Sequence, residues 1–187
     1  PGYQRVSIPA IREKFGALWN VKLSDKEGMT ATEMLPAAEK GALKALYIMG
    51  ENPVISDPDV AHTTKALKAL DFLVVQDIFM TETAELAHVV LPASSFAEKV
   101  GTFTNTERRV QRVRRAVNSP GSAMKDSLII MELSKRMGYD MHYHHTVEIF
   151  REIGQAWPAM AGMSYARLED GGLQWPCPTP DHPGTQY

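Results

Sequence analysis

Lys44-Ala-Leu-Tyr-Ile-Met-Gly-Glu-Asn-Pro-Val-Ile-Ser-Asp-Pro58 carries the most topological information in this chain. Its apolar part, Ala45 to Met49, has strand length. A run without polar interruption is how a parallel strand reads when helices cover both faces of its sheet. Gly50, Asn52, Pro53, Asp57 and Pro58 then crowd one short segment with turn formers. A helical pattern starts after Pro58. Strand, punctuated loop and helix in that order make the nucleotide-binding corner of an α/β sheet. Gly50 permits positive φ and close approach of a ligand to bare backbone. Asn52, Ser56 and Asp57 add short polar side chains where the next helix presents its positive end. The plain alternative is a tight turn that binds nothing, since neither G-x-G-x-x-G nor a Walker pattern is present.

Downstream, the pattern repeats. A helix is expected from about Asp59 to Leu70, with Val60, Ala66, Leu67 and Leu70 as its core face. A second strand runs from Phe72 to Gln76 and leaves through Asp77 to Thr81. Thr81 caps a short helix, Glu82 to Ala87, and a third strand spans Val89 to Leu91 before Pro92. Right-handed crossovers make these three strands parallel. The loops after Met49, Gln76 and Leu91 then share one sheet edge and line a single crevice, where such sheets bind ligands.

Outside this unit, Ile11 to Trp19 reads as a short helix. Thr30 with Glu33 forms a capping-box signature for a helix over Ala31 to Lys40. Arg108 to Val117 reads as extended. Lys125 to Met137 reads as a helix with Leu128, Ile129, Met131, Leu133 and Met137 inward, and Thr146 to Gln155 as another with Val147, Phe150 and Ile153 together. Gly and Pro become dense after Trp157. The expected fold is therefore α/β, three-layered, with a mainly parallel sheet and helices on both faces. Residues 1–155 are expected to form the domain and 156–187 a Pro/Gly-rich tail or linker.

The chain has 187 residues, 20 Lys plus Arg against 22 Asp plus Glu, and a net charge of −2. That balance argues against a disordered tail and against a nucleic-acid partner. No apolar run approaches the ~20 residues of a membrane span. Cys177 is the only cysteine, which excludes an internal disulfide and any cluster or zinc site built from several thiolates of this chain. Pro1 in place of Met, with a Pro-rich end, suggests a piece of a longer protein.

Few residues nominate chemistry by type and spacing. Arg108, Arg109, Arg112, Arg114 and Arg115 suit phosphate, but an ion-paired or solvated strand face is the commoner outcome. His142, His144 and His145 cluster in an expected surface loop without a fitting carboxylate or thiol. Gln76 and Asp77 at a strand tip suit a guanine edge or a ribose diol. Glu98, Asn105 and Glu107 near a Gly-led turn offer further polar contacts, with turn chemistry as the alternative. No Ser/His/Asp ordering, HExxH or CxxC is present, so no nucleophile or general base stands out.

Four strings in fixed order sharpen this reading: Ala45 to Pro53, Val74 to Thr81, Ala87 to Pro92, and Glu98 to Arg108 with Gln111. Together they resemble the molybdopterin oxidoreductases, above all the catalytic α subunit of molybdenum- or tungsten-dependent formate dehydrogenase. Lys135 to Tyr139 and Gly172 to Cys177 are similar to that subunit too. The resemblance implies the cofactor-binding domain of the formate dehydrogenase and DMSO reductase fold, gripping a molybdopterin guanine dinucleotide that carries Mo or W. It assigns Gly50, Glu51, Asn52 and Ser56 to the first loop around the dinucleotide, Gln76 and Asp77 to the second, and Leu91, Pro92 and Ala93 to the third. Glu98, Asn105 and Asp126 match further contacts. Asn52 stands where relatives often carry Asp.

By the same resemblance, the iron–sulfur cluster, the metal-binding Cys or selenocysteine and the C-terminal barrel lie outside this piece, and Cys177 does not match the metal ligand. No catalytic residue and no metal ligand is expected within this chain. The implied partners are the rest of the catalytic subunit, iron–sulfur electron-transfer subunits and formate, in a cytoplasmic setting with the periplasm left open. Alternatives are a nitrate reductase of the same superfamily, the pterin-free large subunit of NADH dehydrogenase, and a stand-alone nucleotide-binding module.

Overall fold

The computed structural model describes residues 2–186. Its α-helices are α1 (Pro9–Trp19), α2 (Ala31–Glu39), α3 (Pro53–Ser56), α4 (Val60–Lys68), α5 (Glu82–Glu85), α6 (Asp126–Arg136) and α7 (Thr146–Ala156). Its strands are β1 (Ala45–Met49), β2 (Phe72–Asp77), β3 (Val89–Pro92), β4 (Gly101–Thr104), β5 (Arg109–Val113) and β6 (Leu173–Gln174). The described residues divide into two compact units, one of 28–98 with 117–140 and one of 2–27, 99–116 and 141–186.

The first of these holds the parallel sheet, in the order β1-β2-β3. Ala45 stands opposite Phe72, and Val74 opposite Val89. Partners in a parallel ladder share a face, so Leu46, Ile48, Leu73, Val75 and Val90 point one way. They pack with Ala38 of α2, Val54 of α3, Ala66 and Leu67 of α4, Leu70, and Ala84 of α5. The chain crosses the sheet in a single direction, and right-handed crossovers then put α3, α4 and α5 on the same face.

The α/β class and the parallel sheet are as the sequence implies, but the helical cover is unequal. On the second face α6 begins beside Gln76, whose amide bonds Asp126. Tyr47, Met49, Phe72 and Val89 of that face stay 38–49% exposed.

Three local expectations change. Loop residues 53–56 form the short helix α3, with Pro53 presetting φ at its first position. The buried stripe of α4 is Thr63, Ala66 and Leu67, continued by Leu70, at spacing i, i+3, i+4, i+7, while Val60 is half exposed. In α6 only Ile129 is buried; Leu128 is exposed and Met137 lies past the helix as its C-cap. The capping box at α2 forms, with the Thr30 N–H donating to Glu33 Oε2 at 2.8 Å.

In the other unit β4 and β5 pair antiparallel, and β6 adds to β5. The core is Val110, Phe150, Met160, Met163, Leu168 and Cys177. Residues 156–187, expected as an irregular tail, supply four of these side chains. Arg167 binds the segment together, donating to the carbonyls of Gly162 at 2.5 Å and His182 at 2.6 Å. Gly172 lies at φ +80°, and a Cβ there would meet the Val110 carbonyl oxygen at 2.2 Å.

Two substitutions test these cores by denaturant unfolding. Leu73→Ala removes a fully buried side chain of the sheet and is expected to destabilise by about 2–5 kcal/mol. Gly172→Ala combines a left-handed φ with a backbone clash and is expected to cost more than about 1 kcal/mol. Unchanged midpoints would remove both packing assignments.

Candidate functional site

The carboxyl ends of three adjacent parallel strands fall on one edge, so the loops after Met49, Asp77 and Pro92 emerge side by side. The first loop leaves the ladder through Gly50, whose N–H donates to the Gln76 carbonyl at 2.9 Å. Gly50 adopts φ +66°, and no atom lies within 4 Å of the position a Cβ would take. Glu51 and Ser56 are exposed, and their side chains make no hydrogen bond among the described residues. Both line a cavity of about 490 Å³ that is also bordered by Met34, Leu35, Tyr47 and Met49.

Asn52 behaves differently. Its Oδ1 accepts from the Thr83 N–H at 3.2 Å and from the Thr83 hydroxyl at 2.7 Å, and its Nδ2 donates to Glu82 Oε2 at 2.8 Å. The bond from Asn52, then the Glu82 backbone N–H, hold the Glu82 carboxyl below its ordinary range.

In the second loop Asp77 Oδ1 accepts from the backbone of Ile78 at 2.7 Å and of Phe79 at 3.1 Å, leaving Oδ2 without a partner among the described residues. Gln76 is fully buried. Its Oε1 accepts from the Tyr47 hydroxyl, and its Nε2 donates to Asp126 Oδ1 at 2.7 Å. The side chains of Gln76 and Asp126 are thus brought together and bonded to each other. Burial, then the charge of Asp126, raise the Tyr47 phenol above its ordinary pKa.

In the third loop Leu91 and Pro92 pair with Gln76 and Asp77. The Ala93 N–H donates to the Asp77 carbonyl, and Ala93 is buried. Glu98 Oε2 accepts from the Ser95 N–H at 3.0 Å, closing its own turn. Asn105 belongs to the other unit, where its Oδ1 accepts from the Arg109 N–H at 3.0 Å at the end of the β4–β5 hairpin.

The arginine run is ion-paired and stacked over much of its length. Arg112 lies over the Tyr165 ring, Arg112 and Arg114 both meet Glu169, and Arg108 lies over Trp175. His142 and His144 meet edge to face at 4.4 Å. Among the described residues no three His, Cys, Asp or Glu side chains are arranged to hold a metal ion. No helix among them is long and apolar enough to cross a membrane.

Sequence reasoning did not nominate Tyr47, Glu82 or Thr83. Tyr47 carried a faint signal, as the one polar tip inside the apolar run of β1. Glu82 and Thr83 carried none, because their partner lies 30 or 31 residues away.

Known proteins give this edge a context. The profile of the family described as molybdopterin oxidoreductase matches residues 4–136. The chain belongs to the molybdopterin oxidoreductase family. Relatives in that family include the F420-dependent formate dehydrogenase subunit alpha of Methanocaldococcus jannaschii, 52% identical over 188 aligned residues, which cover 100% of this chain and 28% of that protein. Formate dehydrogenase H of Escherichia coli is 42% identical, over 95% of this chain and 25% of its own length. The chain thus spans about a quarter of the length of these relatives. Among solved structures, acetylene hydratase from Pelobacter acetylenicus superposes with a TM-score of 0.62 over 91% of this chain and 24% of that one, at 24% identity. That likeness concerns the fold alone.

The Tyr47–Gln76–Asp126 chain gives a pH test with a defined sign. The phenol has a raised pKa in the folded state. Its contribution is therefore complete below the unfolded tyrosine value and is lost as pH rises through the folded one. Asp126→Asn should move the ultraviolet titration midpoint of Tyr47 downward, and an unmoved midpoint would refute the coupling. Tyr47→Phe, which strips the buried Gln76 carbonyl of its donor, should destabilise by about 1–3 kcal/mol in equilibrium unfolding.

Proposed function

We propose that this chain is a cofactor-binding segment of a molybdenum- or tungsten-dependent formate dehydrogenase catalytic subunit, seating a molybdopterin guanine dinucleotide. The single observation that carries the reading is 52% identity, over the whole of this chain, to an archaeal F420-dependent formate dehydrogenase alpha subunit. The fold is shared with acetylene hydratase, so the architecture alone does not select the reaction.

The donor set suits the nucleotide end of such a group. Gly50 leaves open space beside bare backbone, and the carboxylate of Glu51, the hydroxyl of Ser56 and Oδ2 of Asp77 are unengaged among the described residues. Carboxylates accept from ribose hydroxyls and from the N–H groups of a guanine edge, and the hydroxyl serves phosphate. The backbone of Leu91, Pro92 and Ala93 borders the same edge, and Glu98 and Asp126 of the same unit are further expected contacts. When bound, the metal supplies the two-electron oxidation of formate to carbon dioxide, and the electrons leave through iron–sulfur clusters held elsewhere. The residues of this chain bind and orient. The remainder of the subunit and iron–sulfur electron-transfer subunits are its partners, in the cytoplasm.

The test is chemical. The full-length subunit should release guanine nucleotide on acid hydrolysis and reduce a viologen dye or F420 with formate. The 187-residue chain by itself should give no formate-dependent reduction. A full-length subunit without nucleotide, or turnover by the isolated chain, would overturn the proposal.

A further inference from the structure

We propose that Asn52 is a positioning residue that latches the first loop to the start of α5 and so holds Glu51 and Ser56 in place at the nucleotide site. The inference rests on the function proposed above and refines the role of one residue at that site.

Three of the four hydrogen-bonding positions of the Asn52 side chain, both on Oδ1 and one of the two on Nδ2, are engaged within the protein. Oδ1 takes two bonds from Thr83, and Nδ2 gives one to Glu82. Thr83 is fully buried, and its hydroxyl also accepts from the Val54 N–H at 3.2 Å, so the bonds close a knot between α3 and α5. The Asn52 carbonyl accepts from the N–H groups of Ile55 and Ser56, each at 2.9 Å. One residue therefore anchors the loop that carries Gly50, Glu51 and Ser56 to the helix that ends the second loop. A ligand donor reaching for Asn52 Oδ1 would have to break this knot, whereas Glu51, Ser56 and Asp77 Oδ2 are available without rearrangement.

The chemistry of the latch depends on position 52 being an amide. A carboxylate keeps both acceptor bonds from Thr83, but it turns the donor facing Glu82 into an acceptor at 2.8 Å. Two carboxylates at that separation repel unless they share a proton. Other ionisable groups nearby do not intervene. α3 has none, and Glu85 of α5 with Glu51 and Asp57 of the first loop are themselves carboxylates, which give Glu82 no counter-charge. His62 and Lys65 of α4 are held by Glu39.

The experiment uses the full-length subunit loaded with its cofactor. Amide hydrogen exchange at Val54 and Thr83 reads the latch, and guanine nucleotide per subunit reads the positioning. Asn52→Asp is expected to raise exchange about tenfold at pH 8 and to lower nucleotide content, with both effects smaller at pH 5. Adding Glu82→Gln to that variant restores a donor and should bring both readouts back. Unchanged exchange in Asn52→Asp, or no recovery with Glu82→Gln, would overturn the latch. Raised exchange with full nucleotide content would overturn the positioning role and leave a purely structural bond. Wild-type subunit devoid of nucleotide would refute the proposed function and with it the positioning role, and the exchange data would still decide the latch.

Discussion

One hydrogen bond, from the Gly50 N–H to the Gln76 carbonyl at 2.9 Å, ends the β1–β2 ladder and begins the candidate binding loop. It extends the register set by Met49 opposite Gln76, and at the next residue the chain departs at φ +66°. A side chain at that φ costs roughly 1–2 kcal/mol for an ordinary L-residue, so glycine is the economical choice. The turn aims Pro53 into the first position of α3 and brings Asn52 to Thr83. The whole edge inherits its geometry from where the ladder stops.

The sheet itself is asymmetric. Strands added in one direction with right-handed crossovers stack their own helices on one face. That face is closed by aliphatic side chains from α2, α3, α4 and α5. The other face receives α6 near the strand tips, through the Gln76–Asp126 bond. The apolar character of Tyr47, Met49, Phe72 and Val89 therefore exceeds what this chain covers.

In the function proposed above, binding is the part that falls to this chain. Its edge carries carboxylates, a hydroxyl and open backbone, all suited to a nucleotide. Its one cysteine is buried against Arg167 and the His182 carbonyl, in a role of packing. Membership of the family supplies the cofactor class, while the fold is compatible with more than one reaction.

Local chemistry made much of this structure readable in advance. An unbroken apolar run announces a parallel strand, Thr30 and Thr81 announce helix starts, and parallel strands oblige their exit loops to share an edge. The bounds of β1 and the parallel direction of the three strands followed from those rules, whereas the order β1-β2-β3 is a finding of the structure. Tertiary structure alone decided which polar side chains stay open at the edge and which face each other. Asn52 and Gln76 look alike in sequence to Glu51 and Asp77, yet their amides are drawn inward by Thr83, Glu82, Tyr47 and Asp126. Only Asp77 of the other pair shares in such bonding, and then with its own loop. Those partners lie 29–50 residues away, and no periodicity encodes a hydrogen bond across that separation. It exists because the folded backbone brings the two atoms within reach and because burial makes an unpaired amide expensive.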